Sequence, residues 1–285
     1  MLIAQLSDPH IRRKGERAYG VVDTGAHLAA AVDFIAGRLP GLDALMITGD
    51  LVDFGEPEEY AHFRELIAPL RIPILPIPGN HDRRETFADA VGAWVELPRS
   101  GHLSYVRDVG PLRLAMLDST VPGEPHGDMS AERLDWLQGV LAEAPARPAI
   151  VALHHPPFVT GIRHMDVQNC RNSERLAELL EGHPQVLAVV AGHVHRTVLT
   201  RFAGRPASIA PSPAHAVSLA LEPAAPPTFH MEPPGLHLHC WTPDATLPYG
   251  RLVTHCVPIG AFSGPNPFFD AAGKLIDQPL GCGPT

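Results

Sequence analysis

Short apolar runs, each ending abruptly in polar residues, recur along the first two thirds of the chain. They lie at residues 2–7, 44–48, 72–77, 149–153 and 186–190. Apolar runs of this length, bounded by glycine, proline or polar residues, predict buried strands. Because a rigid sheet holds the loops that leave such strands, the polar residues after each run are where chemistry is expected.

Between several of these runs, apolar residues recur at the spacing of a helix. A helix is predicted to begin with Thr24 as its N-cap and to end near Leu39, because apolar residues recur there every three or four positions. Other helices are predicted from Glu56-Pro57, from Ser130 to about Leu141 and from Ser173 to Leu180. Strand pairs are predicted at residues 103–109 with 112–117 and at 196–202 with 206–210. Strands that alternate with helices and then give way to β-rich segments predict a layered α/β core.

The sequence changes in character after residue 221. Residues 222–234 are rich in proline and are predicted to form a loop, residues 236–241 and 252–257 alternate like strands, and residues 259–285 are rich in glycine and proline. The chain is therefore divided into a core, residues 1–221, and a C-terminal region, residues 222–285. This region is expected to be either a cap or oligomer contact near the functional site, or a sheet extension with no part in the chemistry.

Composition and charge narrow the class of protein. The chain has 285 residues, of which 45% are hydrophobic, and a formal charge of −9. An acidic surface disfavours a nucleic-acid polymer as partner. The first residues lack the basic start of a signal peptide, and no apolar stretch approaches the ~20 residues of a membrane span, so a soluble cytoplasmic protein is expected. The four cysteines, Cys170, Cys240, Cys256 and Cys282, are expected to be free thiols, although a disulfide stays open.

Five motifs rich in Asp, His and Asn follow the apolar runs. They are Asp8-Pro9-His10, Gly49-Asp50, Gly79-Asn80-His81-Asp82, His154-His155 and Gly192-His193-Val194-His195. Their oxygen and nitrogen atoms suit divalent metals such as Zn, Mn and Fe. In a regular strand Asp8 and His10 face the same side and reach one metal, while the glycines before Asp50 and His193 permit close approach. One such motif alone is more often structural, but all five in this order favour metal-assisted hydrolysis of an anionic phosphate ester.

The order of these motifs resembles that of the calcineurin-like metallophosphoesterase superfamily, over roughly residues 1–215. Within it, the N-terminal motifs and the segment His154-His155-Pro156-Pro157 most resemble the class III cyclic nucleotide phosphodiesterases and the related glycerophosphodiesterases. The resemblance implies a four-layer αββα sandwich of two mixed sheets flanked by helices, with residues 1–221 as the catalytic core. It also implies that a hydroxide held by two divalent ions, of Fe, Mn, Zn or Co, attacks a small phosphodiester such as 3′,5′-cyclic AMP or a glycerophosphodiester.

The resemblance assigns two shells of metal ligands and a substrate site. The ligands are Asp8, His10 and His195 on one metal, Asn80, His154 and His193 on the other, and Asp50 as the bridge. His81, with Asp50 and Asn80, is expected to be catalytic; Asn80 and His81 contact the phosphate, and His215 contacts the phosphate or substrate. A carboxylate such as that of Asp82 is expected to orient the His81 ring. The alternative for His81 is that it only supports Asn80. His155 is expected to support the site or the fold, and contact with the substrate is the alternative for it.

Other members of the superfamily fit less well. Phe54 stands where a Ser/Thr protein phosphatase has the arginine that binds a phosphoprotein, and the negative charge argues against a DNA exonuclease. Cyclic nucleotides, glycerophosphodiesters and a broad range of phosphoesters remain open as substrates, as does a metal-binding scaffold without activity. A homo-oligomer that binds neither a membrane nor nucleic acid is expected.

Overall fold

The computed structural model describes residues 1–98 and 100–276. Its helices are α1 (Thr24–Arg38), α2 (Pro57–Ile67), α3 (Arg84–Val91), α4 (Ala131–Glu143), α5 (Arg163–Asp166) and α6 (Ser173–Glu181). Its first eight strands are β1 (Leu2–Leu6), β2 (Ala44–Thr48), β3 (Ile74–Ile77), β4 (Tyr105–Val109), β5 (Leu112–Met116), β6 (Gly127–Asp128), β7 (Ala149–Ala152) and β8 (Cys170–Arg171). The remaining strands are β9 (Val186–Ala191), β10 (Val198–Phe202), β11 (Arg205–Ile209), β12 (Ala216–Val217), β13 (Phe229–His230), β14 (Gly235–Thr242) and β15 (Arg251–Pro258).

Two mixed sheets form the centre of the molecule. One has the strand order β15-β14-β1-β2-β3 and the other the order β10-β11-β9-β7-β5-β4. Strands β1, β2 and β3 are parallel in the first sheet, and β5, β7 and β9 are parallel in the second. The four-layer αββα prediction is confirmed.

Successive side chains of a strand point to opposite faces of its sheet, so each strand packs against the layers on both sides. In β9, Val190 packs in the core that the two sheets share with α1, α2 and α3, whereas Val189 packs in the core against α4 and α6. Strands that are apolar on both faces are expected where a sheet is covered on both sides, which explains the continuous apolar runs in the sequence.

Several local predictions differ from the structure. Asp23, and not Thr24, is the N-cap of α1, and its carboxylate accepts a hydrogen bond from the Ala26 amide at 2.9 Å. The predicted loop at 222–234 contains β13, which pairs with β12. Helix α3 and the short elements α5, β6 and β8 were not predicted, because segments of two to eight residues carry too little periodicity.

The C-terminal strands belong to the first sheet. Strand β14 pairs antiparallel with β1, from Leu2 opposite Cys240 to Gln5 opposite His237, and β15 continues the sheet as its edge strand. The region beyond residue 221 therefore includes a sheet extension, and its role as a cap or oligomer contact stays a prediction.

The cysteines and helices add two observations. Cys170, Cys240 and Cys256 are free thiols, and Cys282 lies outside the described residues. No helix in residues 1–98 and 100–276 combines the length and the apolar content needed to cross a membrane.

We expect that a chain ending at residue 221 does not fold, because it exposes the hydrogen-bonding edge of β1 and the apolar face that Leu236 covers. A chain ending at residue 260 keeps both sheets and is the control. Circular dichroism and size-exclusion chromatography distinguish the two, and a soluble, cooperatively unfolding 1–221 chain would contradict this view of β14.

Candidate metal centre

The five sequence motifs meet at one edge of the two sheets. Each follows the carboxyl end of a parallel strand: β1, β2 and β3 in the first sheet, and β7 and β9 in the second. Because the carboxyl ends of parallel strands lie at the same edge of a sheet, motifs far apart in sequence become neighbours. All seven residues that were predicted to bind metal lie in this cluster.

Much of the cluster has an unusual backbone. Of eight non-glycine residues with positive φ in the described chain, five are predicted ligands: Asp8, His10, Asp50, His193 and His195. Left-handed backbone is uncommon outside glycine and is found where a functional site requires it. Asp8 and His10 do not lie in a regular strand, contrary to the prediction, since β1 ends at Leu6 and left-handed turns direct both side chains.

The first group of side chains is Asp8, His10, Asp50 and His195. Their potential ligand atoms lie within 4.8 Å of one another, and all four residues are buried. The His10 Nδ1 atom donates to Asp53 Oδ1 at 3.2 Å, which leaves the lone pair on Nε2. That Nε2 atom lies 3.1 Å from His195 Nε2. Two imidazole nitrogens placed in this way are typical of a site where both bind one metal ion.

The second group is formed by Asn80, His154 and His193. The His154 Nδ1 atom donates to the Thr48 carbonyl at 2.8 Å, and its Nε2 atom faces Asn80 Oδ1, 3.1 Å away. Neither of these facing atoms has a proton to share when the imidazole is neutral. The His193 Nε2 atom is buried without a hydrogen-bond partner among the described residues. A second divalent cation would satisfy all three acceptors, so the residues present fit a metal here also.

Asp50 lies between the two groups. Its Oδ2 atom is 3.5 Å from His10 Nε2 and 3.4 Å from His154 Nε2, while its Oδ1 atom accepts from the His81 amide at 2.8 Å. One carboxylate oxygen therefore faces both groups of imidazoles. This is the position that a bridging ligand needs.

Burial and neighbouring charges set the protonation of these groups. Burial lowers the pKa of His193 to about 3 and that of His195 well below its usual value, so both imidazoles are neutral at pH 7, as a metal ligand must be. Burial raises the pKa of Asp8 to about 6, which shows how poorly water reaches this carboxylate. Burial also opposes ionisation of Asp50, but the neighbouring imidazoles, that of His154 above all, outweigh it and hold the pKa of Asp50 well below its usual value. Burial lowers the pKa of His154, but the carboxylates of Asp50 and Asp8 outweigh it and raise this pKa to about 9, so the His154 ring holds a proton that a bound cation would displace.

His81 stands at the mouth of the site. Its Nδ1 atom donates to the Asp53 carbonyl at 2.8 Å and lies 3.6 Å from the Asp53 carboxylate. The prediction that Asp82 orients this ring was wrong. The Asp82 carboxylate points away and accepts from the amides of Leu51 and Gly79 and from the Tyr60 hydroxyl, at 3.1, 2.9 and 2.7 Å.

Asp53 is therefore the site residue that sequence reasoning missed. It contacts both His10 and His81, and Arg12 binds its other carboxylate oxygen at 3.1 Å. The available signal was its place three residues after Asp50. Its contact with His10 depends on a bridge between the loops at Ile11 and Val52, which the sequence alone does not reveal.

A cavity of about 410 Å³ opens beside His81 and is bounded partly by aromatic residues. The buried His215 lines it, with ring centroids 4.6 Å from His195 and 5.3 Å from Phe229. Tyr19 also lines it and lies 4.9 Å from Phe229. The structure thus brings His215 to the site, as predicted, and adds Tyr19 and Phe229, which were not predicted.

His155 lies behind the predicted ligands. Its Nδ1 atom is 2.9 Å from the Ser119 hydroxyl, and burial together with the charge of His154 holds its pKa well below the usual value. The ring also packs against His193, with ring centroids 4.8 Å apart. The His155 Nε2 atom is buried without a hydrogen-bond partner among the described residues, and a His155 ring nitrogen lies within 4.8 Å of potential ligand atoms of His154 and His193, so the supporting role of His155 stays a prediction.

Two glycines allow the close approach. Gly49 has φ +94°, and a Cβ atom there would overlap the His154 ring. A Cβ atom at Gly192 would overlap the Ser7 hydroxyl and would lie 2.6 Å from the Thr48 carbonyl oxygen. Only glycine fits both positions without moving a neighbour.

The fold and the two groups of side chains fit a metal-dependent hydrolase of the two-sheet α/β type. The chain belongs to the calcineurin-like phosphoesterase family, whose model matches residues 1–197.

Similar proteins agree with this assignment. A protein of Arcobacter nitrofigilis named probable glycerophosphodiester phosphodiesterase GpdQ is 41% identical over 97% of this chain and 100% of its own length. The 3′,5′-cyclic adenosine monophosphate phosphodiesterase CpdA of Pseudomonas aeruginosa is 35% identical over 69% of this chain and 70% of its own. A dimetal phosphatase from Danio rerio has the same fold, with a TM-score of 0.63 at 13% identity over 91% of this chain and 96% of that one.

We expect Gly49→Ala to abolish metal binding, because the new methyl group displaces His154. Gly15→Ala is a matched control: Gly15 has φ +81°, but its Cβ position is open. Both variants suffer backbone strain of about 1–2 kcal/mol, whereas only the first disturbs the site. Metal content after dialysis, measured by elemental analysis alongside thermal unfolding, checks this. Equal metal content in both variants would contradict it.

Proposed function

We propose that this protein is a dinuclear metal-dependent phosphodiesterase that hydrolyses small phosphodiesters. The observation that carries the proposal is the position of Asp50 Oδ2, within 3.5 Å of imidazole nitrogens from both groups of predicted ligands. A single carboxylate that serves two sites is the arrangement of a two-metal hydrolase. The membership of a phosphoesterase family supports the same class of reaction.

The proposed ligands follow the two groups. Asp8, His10, Asp50 and His195 hold one divalent ion, and Asp50, Asn80, His154 and His193 hold the other. The nitrogen and oxygen donors suit Fe, Mn, Zn or Co. When bound, such ions neutralise phosphate charge and lower the pKa of water to about 7, which supplies the nucleophile.

The residues of the chain supply orientation and a proton. Because the Nδ1 atom of His81 donates to the Asp53 carbonyl, its Nε2 atom is left to face the cavity. The Nε2 atom is proposed to deliver a proton to the departing alkoxide, while the Asp53 carboxylate lies 3.6 Å from Nδ1 on the other side of the ring. His215 lines the same cavity and is proposed to contact the substrate.

Glycerophosphodiesters are the favoured substrates. The GpdQ relative matches 97% of this chain, so its similarity reaches well into residues 222–285, whereas the CpdA relative matches 69%. A 3′,5′-cyclic nucleotide is the second candidate, because the aromatic side chains of Tyr19 and Phe229 line the cavity and offer flat surfaces to a base. Broad activity on phosphodiesters and phosphomonoesters is the alternative, and a metal-binding scaffold without activity is a further one.

The proposal includes a cytoplasmic location and a homo-oligomer. Phe262, Phe268 and Phe269 are 59%, 80% and 56% exposed in the C-terminal segment, and β15 is an edge strand with little cover. Exposed apolar side chains beside a sheet edge favour contact with a second copy. The formal charge of −9 supports a small substrate rather than a nucleic-acid polymer.

We expect glycerophosphodiesters to be hydrolysed with the highest kcat/KM in a panel that also contains 3′,5′-cyclic AMP, 2′,3′-cyclic AMP and phosphomonoesters. The panel is run after reconstitution with Mn, Zn, Fe or Co, and chromatography measures the products: the released alcohol, or the nucleoside monophosphate where the substrate is a cyclic nucleotide. Preference for 3′,5′-cyclic AMP would replace the favoured substrate with the second candidate. Metal-bound protein without turnover on any member would favour the scaffold.

We expect His81→Ala to reduce kcat for diesters by about 10²–10⁴-fold, the usual range for loss of general acid help, while metal content stays at the wild-type level. The contrast is Asp50→Ala, which removes a ligand from both groups and should lose metal as well as activity. Unchanged turnover and metal content in His81→Ala would show that this role of His81 is wrong.

A further inference from the structure

A chain of buried polar side chains runs between the two sheets, directly below the metal centre. It consists of Ser7, Gln5, Thr48 and His239, all of which are at most 1% exposed. Gln5 lies in β1, where the nearby residues Ile3, Ala4 and Leu6 are buried and apolar. Polar side chains at such positions are retained in a core only when their hydrogen bonds are satisfied, so the partners of each group identify what the chain holds in place.

Gln5 makes three hydrogen bonds that connect both sheets. Its Nε2 atom donates to the Ala191 carbonyl and to Thr48 Oγ1, both at 3.0 Å, and its Oε1 atom lies 3.0 Å from His239 Nε2. The Ala191 carbonyl only accepts, so the amide nitrogen must face it and Oε1 must face His239. The orientation of Gln5 is thereby fixed.

His239 completes this orientation from the C-terminal strand β14. Its Nε2 atom must donate to Gln5 Oε1, and its Nδ1 atom lies 2.8 Å from the Thr254 hydroxyl of β15. Burial lowers the pKa of His239 to about 3, so the ring is neutral and its single proton stays on Nε2. Thr254 therefore donates to Nδ1, and every polar atom of the His239 side chain is paired.

The other end of the chain reaches the backbone that carries the predicted ligands. Ala191 directly precedes Gly192 and His193. The Thr48 hydroxyl donates to Ser7 Oγ at 2.8 Å, and the Thr48 carbonyl accepts from Ser7 Oγ at 3.1 Å and from His154 Nδ1 at 2.8 Å. Gln5 is thus hydrogen-bonded to Thr48, whose carbonyl orients His154, and to Ala191, which lies two residues before His193. Both histidines belong to the second group of predicted ligands.

We infer that Gln5 and His239 are positioning residues for the metal centre, through which the C-terminal strand β14 holds the ends of β2 and β9 at the correct separation. This inference rests on the proposed dinuclear site and deepens it. Neither residue belongs to the groups of potential metal ligands or lines the cavity beside His81. Their effect is carried by Thr48 and by the Ala191 carbonyl, which is how residues behind a metal site tune its affinity.

The test is Gln5→Met, which keeps the side-chain volume and removes all three hydrogen bonds. We expect its dissociation constant for Mn²⁺, measured by isothermal titration calorimetry of the full chain, to rise by about 10–100-fold. The electron paramagnetic resonance spectrum of the bound Mn²⁺ should also change. Both readouts are independent of turnover.

Gln185→Met is the matched control. Gln185 is 2% exposed, donates to the Leu141 carbonyl at 3.0 Å and lies 3.2 Å from His183 Nδ1, so it is also a buried Gln–His pair. It precedes β9, at the end of the strand opposite to His193. We expect this variant to lose thermal stability but to bind Mn²⁺ with wild-type affinity. Wild-type affinity in both methionine variants would overturn the positioning role.

The His239 side chain provides a second test that leaves the bonds of Gln5 to Thr48 and Ala191 in place, and it decides the question if Gln5→Met is insoluble. His239→Leu removes the donor to Gln5 Oε1, whereas His239→Gln offers an amide N–H in its place. We expect His239→Leu to weaken Mn²⁺ binding and His239→Gln to restore at least part of it. Equal, wild-type affinity in the two would overturn the inference. A wild-type protein that binds no Mn²⁺ would instead overturn the proposed function together with it.

Discussion

The arrangement on which the rest of the structure depends is the convergence of lone-pair atoms in a site that water does not reach. Asp8 and Asp50 are buried beside imidazoles, and pairs such as His10 Nε2 with His195 Nε2 face each other at 3.1 Å. Buried carboxylates without a cation are unfavourable, and facing acceptors repel one another. Cations that complete the site therefore stabilise the folded chain as well as supplying its chemistry, so metal binding and folding are coupled.

The backbone around these atoms requires a rigid support. Five predicted ligands have positive φ, and left-handed backbone outside glycine costs of order 1–3 kcal/mol per residue. Five such residues together oppose folding by on the order of 5–15 kcal/mol, which is as large as the net stability of a typical domain. Two sheets covered by helices on their outer faces, with two buried apolar cores, are the part of the molecule that can offset this strain.

The positions of the motifs were predictable because strand ends are a local property of the sequence. Continuous apolar runs predicted every strand that carries a motif, and the fold brought the motifs together as expected. What was not predictable depends on contacts between distant segments. Asp82, adjacent to His81 in sequence, points away toward Tyr60, whereas Asp53 reaches His81 and His10 because two loops run side by side. Left-handed turns at Asp8 and His10 likewise follow from the site as a whole, and residue spacing does not indicate them.

The C-terminal strand β14 contributes to the structure from within the first sheet. A separate cap would act on the substrate from above, but β14 lies inside the first sheet, beside the strand that leads to Asp8. Side chains of β14 therefore enter the space between the sheets, where His239 meets Gln5 at 3.0 Å. Substitutions in residues 235–242 can reach the metal centre through hydrogen bonds, without any contact with substrate. Variation in this strand among relatives would thus alter metal affinity, because His239 joins Gln5, below the site, to Thr254 of the edge strand β15.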